Sequence, residues 1–302
     1  MSSVIRVGPA GWSYKDWEGV VYPKKKARGF DPLEFLAHYF DTLEINSTFY
    51  RPHPRSVAQQ WLERVKPFSS FRFTAKLYRR FTHERKEAWT KEEVSEARDG
   101  LDALHEANRL GAVLLQFPWS FKRGDPEQQW LRDLLQAFSG LPLVVEVRHD
   151  SWNTADFFAE LEERGVGFVN VDQPLFRHSV QPSARSTSHV GYVRVHGRNY
   201  HDWFRKDAGR DARYDYLYSP EQLEKWAERV RALAEDEKTR EVYVVTNNHF
   251  RGQAVTNGLQ LRSMLERRRV EVPRTLVETF AEELRPFVLD PKTLESGQAA
   301  LF

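Results

Sequence analysis

Eight short strand-like runs alternate with helical patterns along most of the chain, and this alternation restricts the fold more than any other feature. The strand-like runs cover residues 4–8, 43–48, 71–76, 112–117, 143–148, 167–172, 192–197 and 241–248. The main helical patterns cover residues 32–40, 57–65, 91–110, 127–138, 154–164, 219–234 and 253–268. Strands that alternate with helices form right-handed βαβ units and a parallel sheet. The exception is segment 173–190, which is rich in Pro and Ser and predicts an irregular crossover between strands 6 and 7.

Eight such units in a chain of 302 residues predict an α/β fold, a closed (β/α)8 TIM barrel that forms a single domain. An open doubly wound sheet is the alternative, but no Gly-rich phosphate-binding turn follows the first strand. We expect the barrel domain to cover residues 1–270. Residues 271–302 are expected to form a C-terminal helix, over 274–288, and then a mobile tail.

Composition excludes several other classes of protein. The apolar content of 40% supports a substantial core, and the chain has no cysteine for disulfides, thiolate metal sites or a thiol nucleophile. No apolar run is long enough to cross a membrane, and the first residues lack the features of a secretory signal. We therefore expect a cytoplasmic protein without a membrane partner. The net charge of +2 does not by itself demand a nucleic-acid partner.

Polar residues occupy alternate positions in most of the strands, which is unusual for a parallel sheet whose faces are both covered. Neighbouring residues of a strand point to opposite faces. If the apolar residues face the helices, the polar residues must point into the barrel. The residues expected at the barrel mouth are Asn46, Lys76, Gln116, Arg148, Asp172, His196 and Asn247 or Asn248. Those expected one layer deeper are Glu44, Glu146 and Arg194, and Asn170 shares the face of Asp172.

A ligand explains this polar ring better than stability does. Buried ion pairs rarely stabilise a fold, because desolvation offsets the Coulomb attraction, although a self-satisfied polar core is the alternative. The predicted catalytic residues are Glu44, Lys76, Glu146, Asp172 and His196. The predicted substrate-binding residues are Trp12, Asn46, Tyr50, Gln116, Arg148, Arg194, Asn247 and Asn248.

Several longer stretches of the sequence carry a family resemblance. They are GWSYKDWEGVVYP (11–23), FDTLEINSTFYRPH (40–53), LLQFPWSF (114–121), EVRHDSW (146–152), YVRVHGR (192–198) and TNNHFRGQAVTN (246–257). In these stretches, which span most of the chain in order, the protein resembles the YecE-like family, also called domain of unknown function 72. The resemblance implies a TIM barrel and supplies no settled activity.

Three functions fit the predicted ring. The first is a phosphoesterase-like hydrolase that uses a divalent metal ion, with ligands drawn from Glu44, Glu146, Asp172, His196, His149 and His249. Interleaved cations and the absence of HxH and HExxH motifs argue against a bound metal. The second is a metal-free acid–base enzyme, a lyase, isomerase or glycosidase, that acts on a small anionic or sugar substrate. In it, Lys76 could form a Schiff base unless a salt bridge to Glu44 or Glu146 neutralises it. The third is a ligand-binding module without turnover.

The predicted partners are a small phosphorylated ligand or nucleic acid, because arginine and lysine can hold phosphate. Three loops that follow strands 1, 3 and 7 mix aromatic with basic residues, over 12–31, 77–90 and 198–218. Such a mixture is typical of surfaces that bind unstacked nucleic acid, and a packed lid with solvated charges is the alternative.

The last five residues, QAALF, resemble the short peptide by which many bacterial replication and repair proteins bind the sliding clamp. Leu301 and Phe302 could fill an apolar cleft, while the amide of Gln298 makes paired hydrogen bonds. A hydrophobic end packed on its own domain is the alternative. Clamp binding would connect the barrel to DNA repair.

Overall fold

The computed structural model describes residues 3–203, 205 and 209–289, and of residues 209 and 210 it describes the backbone alone. The strands are β1 Val4–Pro9, β2 Thr42–Ile45, β3 Arg72–Lys76, β4 Leu110–Gln116, β5 Leu143–Glu146, β6 Gly167–Asp172, β7 Val190–Val195 and β8 Glu241–Thr246. They pair in parallel in the order β1-β8-β7-β6-β5-β4-β3-β2. The predicted single-domain (β/α)8 barrel is therefore confirmed.

A single backbone bridge between Ala10 and Glu44 closes the barrel between β1 and β2. Gly11 extends this contact, because its N–H donates to the carbonyl oxygen of Glu44 at 2.8 Å. The two strands approach so closely that a Cβ at Gly8 would lie 1.7 Å from the carbonyl oxygen of Thr42. Only glycine fits at that position of β1.

The helices lie outside the sheet, close to where the sequence predicts them. They are α1 Pro32–Ala37, α2 Ser47–Tyr50, α3 Arg55–Arg64, α4 Arg79–Thr82, α5 Lys91–Glu106, α6 Asp125–Ala137, α7 Ala155–Glu163, α8 Gly209–Ala212, α9 Pro220–Glu235, α10 Gln253–Glu266, α11 Arg274–Thr279 and α12 Ala281–Leu284. Capping boxes begin the two longest helices, at Thr90 with Glu93 and at Ser219 with Gln222. Segment 173–189, all of it described, contains no helix, so the irregular crossover is confirmed.

The pairing registers decide which side chains enter the barrel. Val193 and Val195 of β7 face outward, because they pack in one cluster with Leu223 and Trp226 of α9. Tyr192 and Arg194 alternate with them and therefore point inward. The same alternation, carried through the strand registers, directs inward the side chains of Glu44, Thr74, Lys76, Gln116, Glu146 and Val245.

Strand β6 is the exception, and there the predicted orientation is wrong. Asn170 pairs with Val193 and Asp172 with Val195, so both polar residues face outward. The apolar Val169 and Val171 point into the barrel instead. Asn170 is buried under the crossover, where its side chain bonds the backbone of Arg185. Two segments cover this outward face of β6: the crossover lies over Asn170, and Phe158 of α7 packs on Phe168 at 5.1 Å.

The chain beyond α10 packs on the barrel. Leu276 and Leu284 are fully buried, and Val270 pairs with Val288. The prediction of one helix over 274–288 is wrong, because the backbone breaks at Phe280 and separates α11 from α12. The division at residue 270 stays a prediction. Residues 298–302 lie outside the described part of the chain.

No helix in the described part of the chain is both long and apolar enough to span a lipid bilayer.

Candidate active site

Arg194 joins two carboxylates in the centre of the barrel. Its Nε and Nη2 bond both oxygens of Glu44, at 3.0 and 2.5 Å, and its Nη1 bonds Glu146 at 3.2 Å. All three side chains are at most 2% exposed. Glu44 comes from β2, Glu146 from β5 and Arg194 from β7, so the network spans the barrel. The predicted convergence of these residues is observed.

Tyr192 lies one layer below and completes the network. Its hydroxyl lies 2.9 Å from Glu44 Oε2, to which it donates, and 3.0 Å from Thr74 Oγ1. Burial, followed by the charge of Glu44, raises the pKa of Tyr192 well above its ordinary value. The phenol therefore stays protonated and holds the Glu44 carboxylate in place.

Arg148 and His196 lie above Glu146, toward the mouth. Arg148 Nε and Nη2 contact Glu146 Oε1 at 2.9 and 2.7 Å. His196 Nε2 lies 3.2 Å from that same oxygen and 3.0 Å from Arg148 Nη2. Asn247 Nδ2 lies 2.9 Å from the other ring nitrogen of His196. Since a neutral imidazole nitrogen either donates or accepts, Nε2 serves only one of Glu146 and Arg148 at a time.

Charges around Glu146 and His196 set their protonation. Burial alone would raise the pKa of Glu146, but Arg148, His196 and Arg194 hold it well below its ordinary value. Burial and then the positive charge of Arg148 lower the pKa of His196 to about 3. At neutral pH the site therefore contains a carboxylate beside a neutral imidazole.

Lys76, at the end of β3, points to the same centre but has no ionic partner there. Among the described residues, its Nζ makes no hydrogen bond and has no carboxylate oxygen within 4.0 Å. The ammonium lies instead 3.7 Å from the centre of the Phe49 ring. The predicted salt bridge to Glu44 or Glu146 is therefore absent. Burial, followed by the charge of Arg194, lowers the pKa of Lys76 to about 7.

Asp172 does not join this centre, which corrects its predicted catalytic role. Its two oxygens accept three hydrogen bonds from Arg198, at 2.9 to 3.1 Å. Tyr218, which also hydrogen-bonds Asp172, packs in the apolar cluster outside β7 and β8. Asp172 is thus neutralised on the outer face of the sheet.

The two consecutive asparagines after β8 separate in the same way. Asn247 faces inward and contacts His196, as described above. Asn248 faces outward, where its Nδ2 donates to Tyr216 O and to Asn257 Oδ1, both at 2.8 Å. Asn247 is therefore the member of the pair that reaches the site.

The remaining predicted binding residues lie around the mouth or away from it. Gln116 is buried at the end of β4 and donates to the carbonyl oxygen of Phe117. The Nδ2 of Asn46 lies 3.4 Å from the Tyr14 hydroxyl. Tyr50 is 61% exposed and contacts the edge of Phe49. Trp12 packs against Trp61 and Phe73, on the helix side of β3, so it is not a wall of the site.

Sequence reasoning missed two residues of the site, Phe49 and Tyr192, whereas Trp203 belongs to the loop over 198–218, whose aromatic residues were predicted to lie over the rim. Trp203 lies over the mouth, with its ring 5.6 Å from the Arg148 guanidinium and 6.3 Å from His196. Tyr192 was detectable, because it precedes Arg194 by two residues and so shares its face. Phe49 lies in a short helix after β2, and no periodic signal marks it.

The described residues do not fit a metal centre. No group of three or more His, Asp or Glu side chains in that part of the chain is arranged to hold a metal ion. The two inward carboxylates are each bonded by Arg194. His149 instead contacts Ser151 and Asp150, and His249 stacks on Tyr14.

Known proteins resemble the chain over almost its whole length. The model of the family described as "Protein of unknown function DUF72" matches residues 6–281. The UPF0759 protein YunF of Bacillus subtilis (strain 168) is 29% identical over 276 residues, which cover 87% of this chain and 95% of that protein.

Two crystal structures have the same fold. A DUF72 family protein of Thermotoga maritima (TM1631) is 35% identical, with a TM-score of 0.74 over 87% of this chain and 99% of that one. A second, from Enterococcus faecalis V583 (EF0366), is 24% identical, with a TM-score of 0.75 over 87% and 96% of the two chains. The chain belongs to the DUF72 family, a family of proteins of unknown function.

Proposed function

We propose that the barrel mouth is the active site of a metal-free enzyme that acts on a small anionic substrate, such as one that carries a phosphate group. The observation that carries the proposal is the position of Lys76. This basic side chain is half-buried in the ring and lacks a carboxylate partner among the described residues. A polar network built for stability alone would pair its cations.

The charges around the mouth favour an anion. The mouth contains three basic side chains, Lys76, Arg148 and Arg194. The carboxylates of Glu44 and Glu146 contact the two arginines and act on Lys76 only through their charge. The carboxylates are already shared with arginine. With Lys76 protonated, the three cations outnumber the two carboxylates, and an incoming phosphate or carboxylate would meet one net positive charge; with Lys76 neutral, the charges balance and Arg148 would hold the anion.

Arg148 is the residue best placed to contact the substrate. Its side chain is 14% exposed, whereas that of Arg194 is 2% exposed. Its Nη1 makes no hydrogen bond to any described residue, so this nitrogen keeps both of its donors. Trp203 lies against the same guanidinium and would shield the bound ligand from water.

Glu146 and His196 are the acid–base pair of the proposal. Their contact at 3.2 Å allows a proton to pass between Oε1 and Nε2. Movement of Arg148 onto a substrate anion would release Glu146 Oε1 and leave His196 as its partner. The pair would then act as the base, and the neutral amine of Lys76 as a nucleophile or second base.

Fewer observations support the other predicted functions. A phosphoesterase-like hydrolase stays a proposal, and the described residues offer no grouped metal ligands for it. Nucleic acid as the substrate is supported by the exposed rim aromatics Tyr50 and Tyr200, on which a base could stack. A binding module without turnover would use the same Arg148 and Lys76.

Thermal denaturation with and without inorganic phosphate or sulfate tests the proposal. We expect either anion to raise Tm, and Arg148→Ala to remove the shift. Arg132→Ala is the matched control, because Arg132 also binds a glutamate but lies on the outer surface. A shift with neutral sugars alone, or a shift that Arg148→Ala leaves intact, would contradict anion binding at the mouth.

A further inference from the structure

We propose that Lys76 is a Schiff-base nucleophile, so that the substrate is a small ketone or aldehyde that also carries an anionic group. The inference deepens the proposed function and rests on it. It names the reacting group of the substrate and gives Lys76 one role, whereas the proposed function specifies the charge of the substrate and leaves Lys76 as a nucleophile or a second base. The two can fail separately, because anion binding depends on Arg148 and covalent capture on Lys76.

The surroundings of Lys76 are those that a nucleophilic amine requires. Lys76 is the last residue of β3, so a strand rather than a loop fixes its Cα position. Its Nζ lies against the face of Phe49, which occupies one side of the amine without accepting a strong hydrogen bond. Burial and the positive charge of Arg194 disfavour protonation of the amine, and together with Arg148 they outweigh the opposing charges of Glu146 and Glu44.

A histidine that packs against the same Phe49 ring also has a lowered pKa. His83 packs edge-on against Phe49 at 4.9 Å. Burial, followed by the charge of Lys76, lowers the pKa of His83 to about 3. The imidazole is therefore neutral at pH 7, and no carboxylate of the described chain is bonded to either group. A neutral imidazole adds no charge beside Lys76, so burial and Arg194 remain the influences that favour its free amine.

Lys122 provides an internal comparison at the same end of the barrel. It follows β4 and also lies over an aromatic ring, with its Nζ 5.0 Å from the centre of Trp119. Unlike Lys76, it is exposed to solvent. The two residues therefore separate the effect of the site from that of an aromatic neighbour.

The reaction balances without an oxidant or reductant. The lone pair of neutral Nζ forms a bond to the carbonyl carbon, and one Nζ proton passes to the carbonyl oxygen to give a carbinolamine. A second proton, from solvent, converts the new hydroxyl to water, which leaves as the C=N bond forms. One amine, one carbonyl and one proton thus become one iminium ion and one water.

The experiment is reductive trapping with sodium borohydride, which delivers hydride to the iminium carbon and leaves a stable secondary amine. The full chain is incubated at pH 7.5 with dihydroxyacetone phosphate, with pyruvate or with neutral butanone, and peptide mass spectrometry locates the adduct. We expect modification of Lys76 at least about ten-fold above that of Lys122, since burial and Arg194 favour the unprotonated, nucleophilic amine of Lys76. The two anionic ketones should react and butanone should not.

Three variants make the result decisive. Lys76→Arg should remove the adduct, Lys122→Arg should leave it unchanged, and Arg148→Ala should lower the yield with dihydroxyacetone phosphate. Equal labelling of Lys76 and Lys122, or no labelling of Lys76 by either anionic ketone, overturns the Schiff-base inference. If phosphate still raises Tm in an Arg148-dependent way in that case, the proposed anion site stands without it. Circular dichroism confirms that each variant is folded before trapping.

Discussion

Strands β5 and β6 have similar alternating sequences but place their polar side chains on opposite sides of the barrel wall. In β5 the acidic Glu146 points inward and contacts Arg194 and Arg148. In β6 the acidic Asp172 points outward and is bound by Arg198. Both carboxylates are almost fully buried. Alternation therefore shows that a strand has two different faces, but it does not show which of the two is inside.

The two carboxylates also differ in how their charge is balanced. Asp172 has one bidentate partner, which belongs to a loop and is 29% exposed. Glu146 has three partners at the mouth: the guanidinium groups of Arg148 and Arg194 and the imidazole of His196. The outer pair is a closed structural contact, and the inner network leaves Lys76 and part of Arg148 available. We therefore expect the inner network around Glu146 to affect both stability and ligand binding. The outer pair of Asp172 and Arg198 should affect stability alone.

The largest expected effect follows from removal of Arg194. Arg194→Leu leaves Glu44 and Glu146 buried without their shared cation, so we expect the free energy of unfolding to fall by about 3–5 kcal/mol. Urea denaturation measures the change. The control Arg132→Leu breaks an exposed pair with Glu160 and should leave the free energy of unfolding almost unchanged. Equal losses in the two variants would mean that the inner network is not the stabilising centre.

Acid should destabilise the protein through His196. Its folded pKa is about 3 and its ordinary value 6.5, so the unfolded chain takes up the proton first. The stabilisation is complete above pH 6.5 and is lost as the pH falls toward 3, by on the order of 2 kcal/mol at pH 5. His196→Gln should flatten this pH dependence, measured by denaturation across the range.

Breaking the outer pair should have a smaller effect. Asp172→Asn weakens the hydrogen bonds to Arg198, which can gain water in exchange, so we expect a loss of about 1–2 kcal/mol. The phosphate-induced shift in Tm should be unchanged, because Asp172 faces away from the mouth. A lost phosphate response in a folded Asp172→Asn protein would show that the two faces are coupled.

The C-terminal peptide should affect partner binding and leave the barrel unaffected. Removal of residues 298–302 is expected to abolish micromolar binding to the sliding clamp of the same organism while Tm stays the same. Isothermal titration of the full and truncated chains against the clamp provides the measurement. A loss of Tm on truncation, or equal binding by both chains, contradicts a clamp-binding role for Gln298, Leu301 and Phe302.

Local sequence patterns were sufficient to predict the eight strands, the long helices and the inward set around Glu44, Glu146 and Arg194. These features follow from the hydrophobic periodicity and from the positions of the strand ends, both of which can be read from a single sequence. The orientation of β6 was not predictable in this way, because it depends on a crossover with no helical period. The lack of a carboxylate partner for Lys76 was not predictable either, because the sequence does not show which basic residue binds each carboxylate.

Titration of Lys76 tests the central claim most directly, since the claim is that the mouth holds an unpaired amine ready for an anion. Lysine labelled with 13C at Cε and 15N at Nζ, assigned through Lys76→Arg, reports its protonation by NMR. We expect a midpoint near pH 7, because burial and Arg194 disfavour the charged form. Phosphate should raise the midpoint, because a nearby anion favours the ammonium. A midpoint near the ordinary value of 10.5 that phosphate does not change would contradict the account.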